Sequence, residues 1–476
     1  MKNETIILKI IIIAMLTVII STLVWFATSF AVNIQSYIAN VPKDDKVHFL
    51  KMKTSDSILV ESNGEYGLID ASYDKDDPLS LNKNSNGAVV LDYLNKNGVK
   101  HLKFVILTHP HSDHAGGIPE IVYNSNLVDE NTTFIYKDAL VIPSGEEEYY
   151  KHQIGYYKTS NVSIPGADDS AEKAKQAMKS KKAVMLDTLS IDKSSLKKLK
   201  AKVSDDKNIW DRYITFQMGD LNIKIYNISF YVETVNNEPY VDINSNSLVT
   251  LITSKNGYKV LTMADATVRH KSEIYYGELI GKVDIFKANH HGISYSNSTN
   301  LIDAIRPTYA VVTNSPTNKL AKGFVAPYVY IKNYGGKVYY TGESEVVFNL
   351  TNKLYIEKGK EYTDIFSEDW YEWYHNIDDK NKKGLYYIRD NEFLTGLQKI
   401  NNNTYLLDDN GMMLTGWQVI DNKLYYFEPK NETNLGKLYI NKTTTINGHK
   451  YKFDKNGVCE SSRCKTVLKS IKQKTN

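Results

Sequence analysis

Beyond an unbroken apolar stretch at its N-terminus, the chain alternates short apolar runs with mixed segments, the pattern of interleaved strands and helices. Runs 57–61 and 66–71 flank Asn63-Gly64, a dipeptide that favours a two-residue hairpin turn. Residues 91–94 followed by Asn97-Gly98 predict a helix with its C-terminal stop, and an apolar strand at 104–107 comes next. Further strands are predicted at 221–228, 247–253, 259–263, 283–288, 310–313 and 337–341. Between them, residues 170–202 are rich in lysine and helical in composition, and read as an inserted surface segment. These elements predict a mixed α/β domain running from Val47 to about Leu350, within boundaries drawn at 33–355.

The N-terminal stretch differs in kind. Lys2 and Lys9 precede an uncharged run from 10 to 32. At about 1.5 Å per helical residue it is long enough for a hydrocarbon core about 30 Å thick. Residues 1–32 therefore read as a signal peptide or a membrane anchor, with the chain after Asn33 outside the cell. Ser29-Phe30-Ala31 suits a signal peptidase, whereas the length of the run suits retention, and both readings stand.

The last hundred or so residues change pattern again. Gly396, Gln398, Ile400, Asn402 and Tyr405 recur as Gly416, Gln418, Ile420, Asn422 and Tyr425, a period of 20. Partial copies flank them at Tyr386, Asp390 and Asn391 and at Tyr451, Phe453, Asp454, Asn456 and Gly457. A short repeat of this kind cannot close its own core and must stack on its neighbours. The aromatic run followed by Asp-x-Asn-Gly reads as hairpin grammar, so 356–476 is expected to be a β-hairpin repeat module.

Composition excludes several classes. Over 476 residues, 42% hydrophobic and 24% charged positions rule out wholesale disorder and a polytopic membrane protein. Lys plus Arg exceed Asp plus Glu by only 58 to 55, so no global field draws the chain to nucleic acid, and an anionic substrate needs a local site. Cys459 and Cys464 are the only cysteines, so thiolates do not organise the main body, though the two suit one small terminal loop.

The chemistry concentrates in Thr108-His-Pro-His-Ser-Asp-His-Ala-Gly-Gly117, straight after the strand at 104–107. In an extended loop alternate side chains point the same way, so His109 and His111 can grip one ion, and Asp113 and His114 a second once the chain turns. Gly116 and Gly117 let the backbone turn tightly beneath them. Three imidazoles and a carboxylate do not complete two sites. Asp265, at the end of the strand 259–263, can bridge two cations, and His290-His291 follow the strand 283–288 in the same way. Such a pair of cations lowers the pKa of a water between them and stabilises charge on a phosphoryl or acyl oxygen, which makes hydrolysis the natural reaction. Neutral imidazoles and ionised carboxylates favour two Zn²⁺ ions, with Mn²⁺ or Fe as alternatives. Whichever of His290 and His291 is not a ligand can protonate the leaving oxygen. Ser294, Tyr295 and Ser296 either bind phosphate oxygens or cap the next helix.

Val105-Ile-Leu-Thr-His-Pro-His-Ser-Asp-His-Ala-Gly-Gly117, Asn246-Ser-Leu-Val249, Leu261-Thr-Met-Ala-Asp265 and Lys287-Ala-Asn-His-His-Gly292 resemble the metallo-β-lactamase superfamily. The likeness is to its branch of competence-protein domains and phosphorylcholine esterases. It implies an αβ/βα sandwich with His109 and His111 on one metal, Asp113 and His114 on the other, Asp265 bridging, and His290 or His291 completing the second site. Many members carry one more His on the first metal. Here the interval holds only His152, in an expected loop or lid, which reads first as a surface or supporting residue; unless His152 serves as a ligand, that metal would be weakly held, or completed by water or Asn246. Ala264 stands where the family usually has Gly.

The segment 391–457 is similar to cell-wall or choline-binding repeats, whose aromatic faces cage quaternary ammonium groups or stack on sugars. Trp417, Tyr425 and Tyr426 are the candidate wall-binding residues, although Leu397 and Leu406 replace Trp417 and Tyr426 in the preceding unit. The combination implies an extracellular, surface-held phosphodiesterase or phosphoesterase acting on cell-wall or teichoic-acid-type phosphate esters. Two alternatives are a DNA or nucleotide phosphodiesterase of the competence type, which the charge balance does not support, and a non-catalytic adhesion protein.

Overall fold

Asn63 and Gly64 take φ values of 51° and 77° and close the hairpin between strands Ile58–Ser62 and Glu65–Ile69. Asn favours the left-handed region and Gly enters it freely, so this turn is encoded locally. The computed structural model describes residues 13–30, 44–73, 86–138, 169–231, 233–235, 238–240, 242–269, 272–293, 295–316, 324–363, 368–377 and 380–474. It divides into two compact units, Met1–Asp44 and Asp45–Asn476. In the first, residues Ile13–Phe30 form one helix of mean hydropathy 2.0, long and apolar enough to cross a membrane.

The second unit is built on two eight-stranded sheets. In the first, Glu65–Ile69, Phe104–Ile106, Thr133–Tyr136 and Val184–Asp187 run parallel. In the second, Lys259–Thr262, Ile285–Lys287, Tyr309–Val312 and Lys337–Tyr340 do the same. Parallel strands need crossovers, and the crossover helices cover the outer faces. Val47, Phe49, Val60, Phe104, Phe216, Ile223, Val260 and Phe348 fill the space between the sheets. Outside the first sheet lie helices Asn86–Lys96, Ile118–Tyr123 and Ser170–Ser180. Outside the second lie Ser272–Ile280, Thr299–Ile305 and Ala326–Asn333. The layers are those of the predicted αβ/βα sandwich.

The lysine-rich stretch is not a surface insertion. Helix Ser170–Ser180 buries Ala171, Ala174, Ala177 and Met178 on one face and leaves its lysines largely on the other, and strand Val184–Asp187 is the edge of the first sheet. Charge count misled because amphipathic helices and edge strands both carry lysines on their open sides.

Gly116 and Gly117 also work differently from expectation. Gly116 is ordinary right-handed helix at φ −62° and Gly117 has φ −82°. A Cβ on Gly117 would stand 2.0 Å from the Ala71 carbonyl and 2.8 Å from Gly87 Cα, so the glycine permits close approach of two backbones and makes no special turn. Because the obstacle is main chain, Gly117→Ala is expected to destabilise the protein by about 1–3 kcal/mol, seen as a lower urea midpoint at unchanged slope.

The C-terminal part is a run of hairpins: Asp369–Ile377 with Lys380–Arg389, Gly396–Ile400 with Asn403–Leu407, Gly416–Ile420 with Lys423–Phe427, and Lys442–Ile446 with His449–Phe453. The period of 20 is one hairpin. Its tight turns are Asn401-Asn402, Asp421-Asn422 and Asn447-Gly448, all at positive φ. Asp-x-Asn-Gly is a second device that links hairpins: Asp408 Oδ1 accepts from the amides of Asn410 and Met412, and Asp454 Oδ1 from those of Asn456 and Val458. The first hairpin is fused to the sandwich. Trp373 is buried beside Tyr330, and its indole donates to the Asn297 carbonyl at 2.7 Å. Cys459 and Cys464 form a disulfide that closes the terminal loop.

Candidate metal centre

Asp70 ends strand Glu65–Ile69 in the left-handed region, at φ 57°. Its Oδ1 accepts from the Thr108 amide at 2.9 Å, and its Oδ2 accepts from the Thr108 hydroxyl and hydrogen bonds to His114 Nδ1, both at 2.7 Å. One carboxylate thus orients the start of the histidine loop and its last imidazole. With Nδ1 protonated toward Asp70, His114 presents the lone pair of Nε2 to the interior. Helix Ser112–Ala115 turns Asp113 and His114 inward, and His109 Nε2 lies 3.1 Å from His111 Nδ1.

The second sheet supplies the rest. Asp265 follows Ala264, which takes φ 47°, and His291 is itself at φ 50°. Asp265 Oδ1 is 3.3 Å from His114 Nε2, while its Oδ2 lies 3.3 Å from His291 Nε2 and 3.8 Å from His109 Nε2. His291 Nε2 is 3.0 Å from Asp113 Oδ2. His290 stands at the rim, its Nε2 4.0 Å from Asp265 Oδ2 and 3.4 Å from the Asn244 amide.

Asp56, His114, Asp265 and His291 each offer a ligand atom within 4.8 Å of the others, all buried. Asp56, however, faces the Nδ1 atoms of His291 and His114, at 3.2 and 3.9 Å, whereas Asp113 faces their Nε2 atoms at 3.0 and 3.8 Å. It is also engaged by the Lys287 ammonium and by the Thr313 hydroxyl at 2.6 Å. Asp56 therefore belongs behind the imidazoles, and Asp113 and Asp265 in front of them.

The front of the cluster fits cations. His114 Nε2 and Asp265 Oδ1 are buried without a hydrogen-bond partner although they face each other. A lone pair against a carboxylate oxygen repels unless positive charge lies between them. Burial opposes charge on His114, but Asp265, Asp70 and Asp113 outweigh it and push its pKa well above the usual histidine value. Burial acts the same way on His291, and Asp265 and Asp56 override it. His109, by contrast, is held well below its usual value by burial and by the adjacent His114. The carboxylates thus demand positive charge at the centre, and divalent cations satisfy that demand.

Other expectations change. Asn246 does not face the cluster: its Oδ1 accepts from the Tyr231 amide at 2.7 Å and its Nδ2 donates to the carbonyls of Tyr231 and Asp242. Its side chain braces loops and completes no metal site. Ser296 spends its hydroxyl on the Ile293 and Asn289 carbonyls, and the cap of helix Thr299–Ile305 is Ser298. His152 and Ser294 lie outside the described residues. Asp56, Asp70 and Thr313 escaped the sequence reading, as did the role of Lys287. The signal for Asp70 was present, since it ends an apolar strand as Asp265 does.

In the hairpins, Trp417 and Tyr426 are cross-strand partners with ring centroids 4.7 Å apart, and Tyr451 of the next hairpin lies 4.8 Å from Trp417. Trp370 and Tyr387 repeat the pairing at 5.0 Å, with Tyr405 of the next hairpin 5.0 Å from Trp370. Between them the same register holds Leu397 opposite Leu406. Tyr425, paired with Gln418, lies on the opposite side of its strand from Tyr426 and so is not part of the Trp417 station.

The Metallo-beta-lactamase superfamily model matches residues 52–130, and the Choline-binding repeat model matches residues 394–435. A metallo-beta-lactamase fold protein, YhfI from Bacillus subtilis, is 13% identical over 65% of this chain and all of its own, with a TM-score of 0.36. The short form of human tRNase Z is 14% identical over 56% of this chain and 92% of its own, at 0.29. The choline binding domain of Spr1274 from Streptococcus pneumoniae is 25% identical over 14% of this chain and 97% of its own, at 0.13. Comparison with curated proteins gave no match. The superfamily match includes the histidine loop, Asp56 and Asp70, while Asp265 and His291 join them from beyond it. The chain therefore carries a metallo-beta-lactamase domain followed by choline-binding repeats.

Proposed function

We propose that this chain is a surface-held, metal-dependent phosphodiesterase or phosphoesterase acting on cell-wall or teichoic-acid-type phosphate esters. The observation that carries the reading is the convergence of the buried His114, Asp265 and His291 and the half-buried Asp113 on facing ligand atoms. His109 and His111 would hold one cation, Asp113, His114 and His291 the second, and Asp265 would lie between them. When bound, two such ions supply Lewis acidity and a water of lowered pKa.

The protein's own residues do the rest. Asp70 and Asp56 fix the ring orientations of His114 and His291 from behind. His290, half-buried at the rim 4.0 Å from Asp265, would donate a proton to the leaving oxygen. His290→Gln is expected to lower kcat about a hundredfold with metal content unchanged, measured on bis-p-nitrophenyl phosphate. On the same substrate a chelator and His111→Ala should each remove activity, and turnover surviving both treatments would refute the metal-dependent reading.

The repeats support a wall polymer as the substrate. Trp417 with Tyr426 and Tyr451, and Trp370 with Tyr387 and Tyr405, are the stations suited to a quaternary ammonium. A cation already sits on such a ring, Lys442 Nζ lying 3.8 Å above Tyr439. Trp370→Leu combined with Trp417→Leu should release the protein from choline-bearing walls in a sedimentation assay. Equal pelleting of this variant and wild type would leave the repeats without that role.

A further inference from the structure

His290 and His291 both stand at φ 50°, a conformation that residues with a Cβ keep only where their surroundings impose it. In front, the His290 amide donates to the Ala264 carbonyl at 3.0 Å, and the His291 carbonyl accepts from Asn314 Nδ2 at 3.1 Å. Behind them Asn297 closes the segment. Its Oδ1 accepts from the Asn289 amide at 2.8 Å and its Nδ2 donates to the Asn289 carbonyl at 3.0 Å, so one side chain grips both main-chain groups of the residue before His290. Glu273, buried on helix Ser272–Ile280, fastens the same two residues, its Oε2 accepting from the Asn297 amide at 2.8 Å and from Asn289 Nδ2 at 3.1 Å.

Asn297 has one main-chain group left, its carbonyl, and the first C-terminal hairpin takes it. Trp373 Nε1 donates to that carbonyl at 2.7 Å, and both residues are buried. A buried carbonyl deprived of its donor is costly, so the indole fixes where Asn297 sits. A phenylalanine would fill the same core and leave the carbonyl bare. A second contact runs alongside. The ring of Tyr374, next along the strand, lies 5.5 Å from that of Tyr295, and the Tyr295 carbonyl accepts at 2.7 Å from the amide of Val268, three residues beyond Asp265.

We infer that Trp373 is a positioning residue of the metal centre, a role that rests on the metal-binding reading of the cluster: through Asn297 and Asn289 it holds His290 and His291 in place. The first hairpin of the repeat array is then a working part of the site as well as a support for the repeats behind it. The catalytic unit accordingly extends past the boundary at 355 to the end of this hairpin at Arg389. His291 is the ligand that loosening would withdraw, and His290 at the rim moves with it.

The test compares wild type, Trp373→Phe and Asn297→Gly as full-length proteins in detergent, each loaded with zinc, dialysed against a graded chelator series and assayed for bound zinc. Phe keeps a buried ring and removes the indole donor, whereas Gly tolerates the φ of 60° at this position and removes the amide grip. Each variant is expected to lose one of its two zinc ions at about tenfold lower chelator than wild type, the lower end of what an outer partner of a ligand contributes. The double variant should lose no more than either single one, because both act along one path. In the metal-free proteins, hydrogen exchange at the Asn289 and Asn297 amides should quicken in the same variants. Leu407→Ala opens the core between the first two hairpins and lowers stability, yet should keep the wild-type chelator profile, which separates positioning from general loosening. A wild-type profile in Trp373→Phe or in Asn297→Gly, additive losses in the double variant, or the same loss in Leu407→Ala would each overturn the inference. A wild type that binds no zinc would instead remove the metal reading, and the exchange rates would still decide whether Trp373 holds the segment.

Discussion

Asp265→Ala is expected to remove at least about a thousandfold of the proposed phosphodiesterase activity and to leave the purified protein short of metal. The side chain is reached by three imidazoles: Oδ1 by His114 Nε2, and Oδ2 by His291 and His109 Nε2, all within 3.8 Å. Among the described carboxylates within 4.0 Å of these imidazoles, it is the one that reaches His109 as well as His114 and His291. Burial alone would favour its protonated form, but His291 and His114 hold its pKa well below the usual carboxylate value, so it is an anion awaiting cations. Alanine removes that charge and lets the imidazoles relax to neutrality, so the fold should survive while the site loses its centre. Steady-state rates and metal content on the same preparation check this. A variant retaining both metals and a tenth of the activity would show that Asp265 does not join the two sites.

Lys287→Met is expected to cost about 3–5 kcal/mol of stability, as does removing one partner of a buried ion pair. Lys287 is fully buried, its ammonium pairs with Asp56, donates to the Ala264 carbonyl at 2.9 Å and lies 3.7 Å from Asp265 Oδ1. Without it, two buried carboxylates face each other's field with only imidazoles to balance them. The double variant Asp56→Asn with Lys287→Met removes the orphaned charge and should recover part of the loss. Urea denaturation of the three proteins reads the result directly. Equal stability of Lys287→Met and wild type would mean that the ion pair is not what holds the two sheets' site edges together.

The strand ends were readable because each candidate ligand follows a short apolar run: 104–107 before His109, 259–263 before Asp265, 283–288 before His291. Period and turn chemistry likewise gave the Asn63-Gly64 hairpin and the repeating hairpins. What could not be read was the layer behind the ligands. Asp56 sits in a polar Ser55-Asp56-Ser57 segment that resembles any loop, and Lys287 looks like an edge-strand lysine until Asp56 is placed beside it. The sequence could not choose between His290 and His291 either: both are at φ 50°, and only the fold shows His291 Nε2 3.3 Å from Asp265 Oδ2 with His290 Nε2 at 4.0 Å. Nor did the sequence indicate that the first C-terminal hairpin packs into the outer layer through Trp373, because its register fell outside the period of 20.

Elemental analysis of the full-length protein, purified without chelators, tests the central claim most directly. The account predicts two equivalents of a divalent transition metal per chain in the wild type and a deficit in Asp265→Ala, with the metal retained in His290→Gln. A wild-type protein that is folded yet holds no stoichiometric metal, even after incubation with zinc, would contradict it.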